Sequence, residues 1–397
     1  MFLKKGTSAI IDGPASLTIM SGEASILECP LRVRRSYLLR PWRRYPLYAE
    51  TDVEYELTLG EGASHNVVEG SPIDQSWLEA ARRLCSEESV ALIGGVDSGK
   101  TTLATLMSNI SVRESGRCVV VDLDPGQSYL SPPTTIGAAE ITRPFHDLAQ
   151  AEASYVIPIG STSPTPVLDY QLRMSGELMK ILRDAGLSHL IVDCDGWIEG
   201  EAAENYKARL LDITQPSHVV FLEKTPEKLL EQVNELGIAH TLLRSSEKAL
   251  RRSMDARKKL REMAYRRFLR NATLRTIPIN WVELSTINAK ALGDKQSPIE
   301  FFRRSVKQYV EANSKAELDA DKMGDFFLKG RIGLLTYLFD VNSNYAGIGL
   351  MAEMDLKRNV MRLFTPVTVQ LKQAVLGNIF LNVFGDELFT VKSEALV

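Results

Sequence analysis

Residues 94 to 102 read Gly94-Gly95-Val96-Asp97-Ser98-Gly99-Lys100-Thr101-Thr102 and fit the pattern G-x-x-x-x-G-K-[ST]. That pattern builds a phosphate cradle. Glycines turn backbone N–H groups onto phosphate oxygens, a lysine reaches the β/γ-phosphates, and a hydroxyl ligates Mg²⁺. All nine residues are candidates to hold a nucleoside triphosphate, with Lys100 a further candidate for the chemistry and Thr101 for the metal. A second group of acids follows in Asp122-Leu123-Asp124-Pro125-Gly126-Gln127, which closes the apolar run 117–123. Of Asp122 and Asp124, one carboxylate can hold Mg²⁺ through water and the other can accept a proton from an attacking hydroxyl. Asp193, at the end of the run 189–192, competes for the metal. Spacing does not separate the acids; Gly126 and Gln127, which can complete a polar pocket, favour the earlier pair.

Such groups need a scaffold that brings them together. Residues 89–93 (Ser-Val-Ala-Leu-Ile) suit a buried parallel strand, and 103–107 continue as a helix whose N-terminus adds partial positive charge to the loop. In an α/β sheet the ligand crevice lies at the carboxyl ends of the strands, so Asp122, Asp124 and Asp193 are expected beside the glycine loop. Gly160-Ser161-Thr162-Ser163-Pro164 ends the run 155–159. Hydroxyls of Thr162 and Ser163 can hold a backbone phosphate or cap the helical segment 167–182. Trp197, just past Asp195 and Gly196, is placed to stack on a base or to pack under the loop, and both readings stand. Further strands are expected at 219–222 and 280–284, with a closing helix at 297–312.

From residue 244 to 275 there are twelve Lys or Arg against Glu247, Asp255 and Glu262. A charge run is usually a solvated helix face. In a triphosphate-binding domain it can instead be a lid that closes over the transferred group. Arg257 and Arg261 share a helix face, while Arg252 lies about 140° round from Arg257 at roughly 100° per residue. A single-face clamp would need a bend near Met254.

The flanks look different. Between residues 6 and 62, short alternating segments (8–11, 15–20, 24–27, 53–59) are separated by Asp-Gly, Ser-Gly and Gly-Glu-Gly turn signals. Arg32, Arg34, Arg35, Arg40, Arg43 and Arg44 alternate there with Tyr37, Trp42, Tyr45 and Tyr48, a composition that serves nucleic acid or a strand pair with inward aromatics. After a charged linker at 317–322, apolar segments at 332–339, 346–351, 360–364 and 379–384 read as an antiparallel β-domain without a catalytic constellation. The expected fold class is therefore α/β, a central P-loop parallel-sheet domain (83–318) between small N-terminal (1–82) and C-terminal (319–397) β-domains. A length of 397 residues accommodates this division. Net charge is only −3, so local basic patches say more than the total. The cysteines, Cys29, Cys85, Cys118 and Cys194, are scattered without a C-x-x-C pair and read as thiols of a reducing compartment. No apolar run approaches membrane-spanning length, and a cytoplasmic location is expected.

Four motifs together resemble the RNA 5′-hydroxyl polynucleotide kinase family, which includes the kinase subunit of pre-messenger-RNA cleavage factor and the ribosomal-RNA-processing kinases, in a compact form like its archaeal members. They are Gly94-x-x-Asp97-x-Gly99-Lys100-Thr101-Thr102, the segment Asp122-x-Asp124-x-Gly126-Gln127, Gly160-Ser161-Thr162-Ser163-Pro164 followed by Asp195-Gly196-Trp197, and the spacing of Arg252, Arg257 and Arg261. The resemblance implies a P-loop kinase transferring the γ-phosphate of ATP, with Mg²⁺, to the 5′-hydroxyl of RNA, DNA being a second acceptor to consider. It implies Asp124 as base, which leaves Asp122 for Mg²⁺, Thr162 and Ser163 with Gln127 on the RNA, Trp197 under a base, and the three arginines as lid, with RNA-processing proteins as partners. A catalytically silent ATP-binding scaffold is the alternative. A GTPase is disfavoured, because N-K-x-D is missing and only Glu223-Lys224-Thr225-Pro226 stands at a strand end.

Overall fold

The computed structural model describes residues 1–223, 225–245, 250, 252–293, 295–313 and 320–392. Residues 246–249 and 251 of the basic stretch, Lys224, and 317–319 of the charged linker lie outside the described residues. The chain forms two compact units. The first comprises Met1–Asp124, Gly137–Ser154 and Ser175–Ala256; the second comprises Pro125–Ile136, Tyr155–Met174 and Arg257–Val397.

The first unit opens with two β-sheets. One runs in the order Phe2–Leu3, Val53–Leu59, Ala15–Ser21, Ser36–Leu39, and the other in the order Cys29–Pro30, Ala24–Ile26, Arg44–Ala49, Thr7–Asp12, Ser64–Glu69. In Ala15–Ser21 the buried Ala15, Leu17 and Ile19 alternate with the more accessible Ser16 and Thr18. This period of two sends one face inward. Those side chains share a core with Ile11, Ile26, Leu47 and Tyr55.

The sheet that carries the glycine loop follows. Thr135–Ile141 runs antiparallel to Cys118–Asp122, and then Cys118–Asp122, Leu190–Asp193, Ser89–Gly94, His218–Leu222 and Ala239–Leu243 lie side by side in parallel. Every residue of Ser89–Gly94, Cys118–Asp122, Leu190–Asp193 and His218–Leu222 is buried. Both faces are covered, and the strands accordingly read as continuous apolar runs. Ala239–Leu243 was not anticipated. It is an edge strand with a burial pattern that leaves only Leu243 buried, so its sequence lacks that apolar signal.

In the second unit a sheet runs Thr273–Pro278, Val360–Thr365, Tyr345–Asp355, Ile332–Asp340, Leu371–Asn382, Glu283–Thr286, with Glu387–Thr390 also on Leu371–Asn382. The four expected C-terminal segments are all there. The strand expected at 280–284 is not part of the P-loop sheet: Ile279–Trp281 is a 3₁₀ turn, and Glu283–Thr286 pairs in parallel with Leu371–Asn382. A short apolar run states that it pairs but not with which sheet. The helix expected at 297–312 is Pro298–Asn313, and its Tyr309 ring sits 4.8 Å from Phe380 and 5.4 Å from Phe327. Among the described residues, no helix is long and apolar enough to cross a membrane, and the four cysteines form no disulfide.

Candidate active site

Strand Ser89–Gly94 runs into the glycine loop, and helix Lys100–Ser115 leaves it with Gly99 as N-cap at φ +100°. A side chain at Gly99 would be strained by that dihedral and would also place a Cβ 2.7 Å from Cη2 of Trp77. Trp77 is buried on helix Gln75–Leu84, and its Nε1 donates to the Arg244 carbonyl at 2.9 Å. Lys100 is buried, with Nζ donating to the carbonyls of Gly94 (2.9 Å) and Gly95 (2.8 Å). The ammonium is thus held within the loop. Asp97 has φ +60°, and its carboxylate accepts the Arg252 amide at 2.9 Å and Arg252 Nη1 at 3.2 Å. Arg252 Nε donates to the Trp42 carbonyl at 3.0 Å. The first arginine of the expected lid is therefore tied to the phosphate loop.

Strand register lines up the acids. Asp122 lies opposite Asp193 and Asp193 opposite Leu92, so three parallel strands end together at the loop. Thr101 Oγ1 donates to Asp193 Oδ2 at 2.6 Å. Asp122 Oδ1 instead accepts the Asp124 amide at 3.1 Å and so shapes the turn that carries Asp124. Burial pushes the Asp193 carboxyl up to about 6; the Lys100 ammonium and the Thr101 hydroxyl pull against that rise, Asp124 adds to it, and Arg43 opposes it. Lys100, Thr101, Asp124 and Asp193 thus share one rim of the sheet. Among the described residues Asp193 Oδ1 is buried without a hydrogen-bond partner. An orphaned carboxylate oxygen beside the Thr101 hydroxyl fits a hard divalent cation, which takes few protein ligands and keeps water and phosphate in the remaining positions.

Past Asp193 the strand end is braced. Asp195 Oδ2 accepts Lys207 Nζ (2.6 Å) and the Tyr206 hydroxyl (3.0 Å), while Oδ1 accepts the Trp197 amide at 3.0 Å. Lys207 has no exposed surface, and its ammonium lies 4.9 Å from the Tyr206 ring centre. Trp197 also stacks on that ring, at 5.7 Å and 28°. Trp197 itself is only half-buried. It packs on one side, as one reading required, and keeps accessible surface, as the other required.

The other candidates belong to the second unit. Gln127 Nε2 donates to the Gly126 carbonyl at 2.8 Å and at 3.5 Å, a weak contact, to that of Arg257. Ser163 is exposed and its amide donates to Ser161 Oγ at 3.1 Å, while Thr162 beside it is half-buried. Arg257 and Arg261 sit on helix Met254–Phe268, in which the division between the units falls after Ala256. Arg261 is bidentate on Glu387, at 2.7 and 3.0 Å.

Residues 94–271 match the family model described as mRNA cleavage and polyadenylation factor CLP1 P-loop. Those residues, from the glycine loop through the basic helix, belong to the CLP1 P-loop family. Similar to it are the polyribonucleotide 5′-hydroxyl-kinase of Methanocaldococcus jannaschii, 25% identical over 77% of this chain and 91% of the relative, and that of Pyrococcus furiosus, 22% identical over 82% and 97%. A chain of the solved wild-type Clp1p–Pcf11p complex matches with a TM-score of 0.69 at 14% identity, covering 95% of this chain and 96% of that one. At that identity the likeness is one of fold.

Spacing alone did not bring Asp193 to Thr101, nor single out Trp77, Tyr206 and Lys207 as neighbours of the rim. The signal for Asp193 was present as an apolar strand ending in acid, equal in strength to that for Asp122. Tyr206 and Lys207 lie mid-helix in Glu201–Thr214, where nothing local marks them.

Proposed function

We propose that this protein is an ATP-dependent polynucleotide 5′-hydroxyl kinase that phosphorylates RNA ends. The observation that carries the reading is the Thr101–Asp193 hydrogen bond on the rim where Lys100 and Asp124 also act on Asp193. In the proposed reaction the loop amides and Lys100 hold the ATP phosphates. The RNA 5′-oxygen forms a bond to the γ-phosphorus as the bond to the β-bridging oxygen breaks, ADP departs, and Asp124 takes the hydroxyl proton. Bound Mg²⁺ would neutralise phosphate charge, held by Thr101 and, given the Thr101–Asp193 contact, by Asp193 in preference to Asp122. Arg252, Arg257 and Arg261 supply positive charge to the transferred group, and Gln127, Thr162, Ser163 and Trp197 hold the RNA end. Almost all the catalysis is placement and electrostatics. The three-part division at 82 and 318, a cytoplasmic location and RNA-processing protein partners belong to the same proposal. The relatives named polyribonucleotide 5′-hydroxyl-kinases support the acceptor class.

The test is transfer of label from γ-labelled ATP to 5′-hydroxyl RNA and DNA oligonucleotides with Mg²⁺. Label on neither acceptor overturns the reading. Asp193→Asn is expected to raise the Mg²⁺ concentration for half-maximal transfer by on the order of 10- to 100-fold; an unchanged Mg²⁺ titration returns the metal to Asp122. Trp197→Ala is expected to weaken RNA binding by on the order of 1 to 3 kcal/mol while ATP binding stays the same. Equal RNA affinity of the two proteins would leave Trp197 as packing alone.

A further inference from the structure

We propose that Glu387, in the C-terminal sheet, is a positioning residue for phosphoryl transfer: it grips one edge of the Arg261 guanidinium and presents the other edge to phosphate. The inference rests on the kinase reading and gives the C-terminal sheet a part in it.

The grip is specific. Arg261 Nε donates to Glu387 Oε1 at 2.7 Å and Nη2 to Oε2 at 3.0 Å, with the two side chains 18% and 14% exposed. This side-on pairing consumes Nε and Nη2, and among the described residues Nη1 takes no partner. Three of the five N–H groups of a charged guanidinium, both on Nη1 and the second on Nη2, therefore remain for a second anion. A guanidinium is planar and rigid, so fixing one edge fixes the direction of the other, and the rotamer entropy that a lone arginine loses on meeting phosphate is lost beforehand.

Glu387 is itself held. Its amide donates to Glu262 Oε1 at 3.3 Å. The turn before it is closed by Asn382 Oδ1, which accepts the amides of Phe384 (3.0 Å) and Asp386 (3.1 Å). Helix Met254–Phe268 meets that turn directly: Arg266 Nε donates to the Phe384 carbonyl at 2.7 Å, and a Cβ on Gly385, at φ +87°, would lie 2.5 Å from the Glu262 carbonyl oxygen. On the same helix Tyr265 is fully buried, and Arg267 Nη1 donates to the Tyr129 carbonyl at 3.2 Å. An ion pair this well supported, from a strand that carries no other chemistry, is an orienting device.

The experiment is a double-mutant cycle in the full chain, with kcat, the KM for ATP and for a 5′-hydroxyl RNA oligonucleotide, and the melting temperature measured for wild type, Glu387→Gln, Arg261→Ala and the pair. If Glu387 acts through Arg261, Glu387→Gln lowers kcat by on the order of 10- to 100-fold, the cost of an orienting partner. Both KM values and the melting temperature stay near wild type, and Glu387→Gln adds nothing in the Arg261→Ala background. Glu387→Asp, tested beside it, recovers part of the lost kcat. A wild-type kcat in Glu387→Gln overturns the inference, as do losses that multiply in the pair or a fall in melting temperature that accounts for the lost rate. A wild-type protein that transfers no label removes the kinase reading and this inference with it, whereas active wild type with an indifferent Glu387 removes this inference alone.

Discussion

Asp124→Asn is expected to lower kcat for label transfer to a 5′-hydroxyl end by on the order of 10² to 10⁴, the usual contribution of a positioned general base. The substitution keeps shape and hydrogen-bonding capacity, and the turn has its own support in the bond from the Asp124 amide to Asp122 Oδ1. The lost rate therefore reports the lost proton acceptor. The KM for ATP is expected to hold, because the loop and Lys100 are untouched. A sharper check uses the neighbour. Asp124 is one of the charges that push the Asp193 carboxyl up, so its neutralisation makes Asp193 easier to ionise and Mg²⁺ affinity holds or rises. Asp124→Asn with a normal kcat ends the base assignment. A lowered kcat accompanied by weakened Mg²⁺ affinity would make Asp124 a metal-holding acid instead.

The glycine loop was legible because its function and its backbone demand the same residues: Gly99 needs φ +100° and the phosphates need the amides. The parallel strands were legible for a similar reason, since burial on both faces writes continuous apolar runs into residues 89–94, 118–122 and 190–193. What the spacing could not supply was convergence. Thr101 touches Asp193, ninety-two positions away, and Asp97 touches Arg252, one hundred and fifty-five away. Each pair is created by strand order and helix docking, which leave no local periodicity. The arginine-rich stretch at 32–44 shows the same limit. Its composition allowed nucleic acid, yet Tyr37 and Tyr45 are buried, Arg44 is paired with Asp12, and Arg40 and Arg43 reach Asp147. An aromatic-arginine pattern does not reveal whether its anion is a phosphate or a carboxylate of the same chain.

Asp147→Ala is expected to destabilise the first unit by about 3 to 5 kcal/mol, the cost of breaking a buried charge pair from one side. Asp147 is 4% exposed at its side chain and is bound by Arg40 at 2.7 and 2.8 Å, Arg43 at 3.3 Å and the Tyr45 hydroxyl at 2.6 Å. Burial alone would raise its pKa, but the Arg43 and Arg40 charges and the hydrogen bonds from Arg40 and Tyr45 outweigh that and hold the carboxyl far below the ordinary aspartate value. The sign of the pH dependence follows. A depressed folded-state pKa stabilises the protein fully above the unfolded value of about 3.9, and the contribution is lost as pH falls from there through the folded value. In urea titrations the gap between wild type and Asp147→Ala should be constant from pH 5 to 8 and smaller by about 1 kcal/mol at pH 3. A gap that stays the same at pH 3 would mean the variant loses packing and not an ion pair. Activity is expected to suffer as well at temperatures where both proteins are folded. The Arg40–Arg44 segment that Asp147 anchors also offers the Trp42 carbonyl to Arg252 and brings Arg43 to bear on Asp193. Slackening it loosens the arginine on the phosphate loop, and kcat is expected to fall more than the KM for ATP rises.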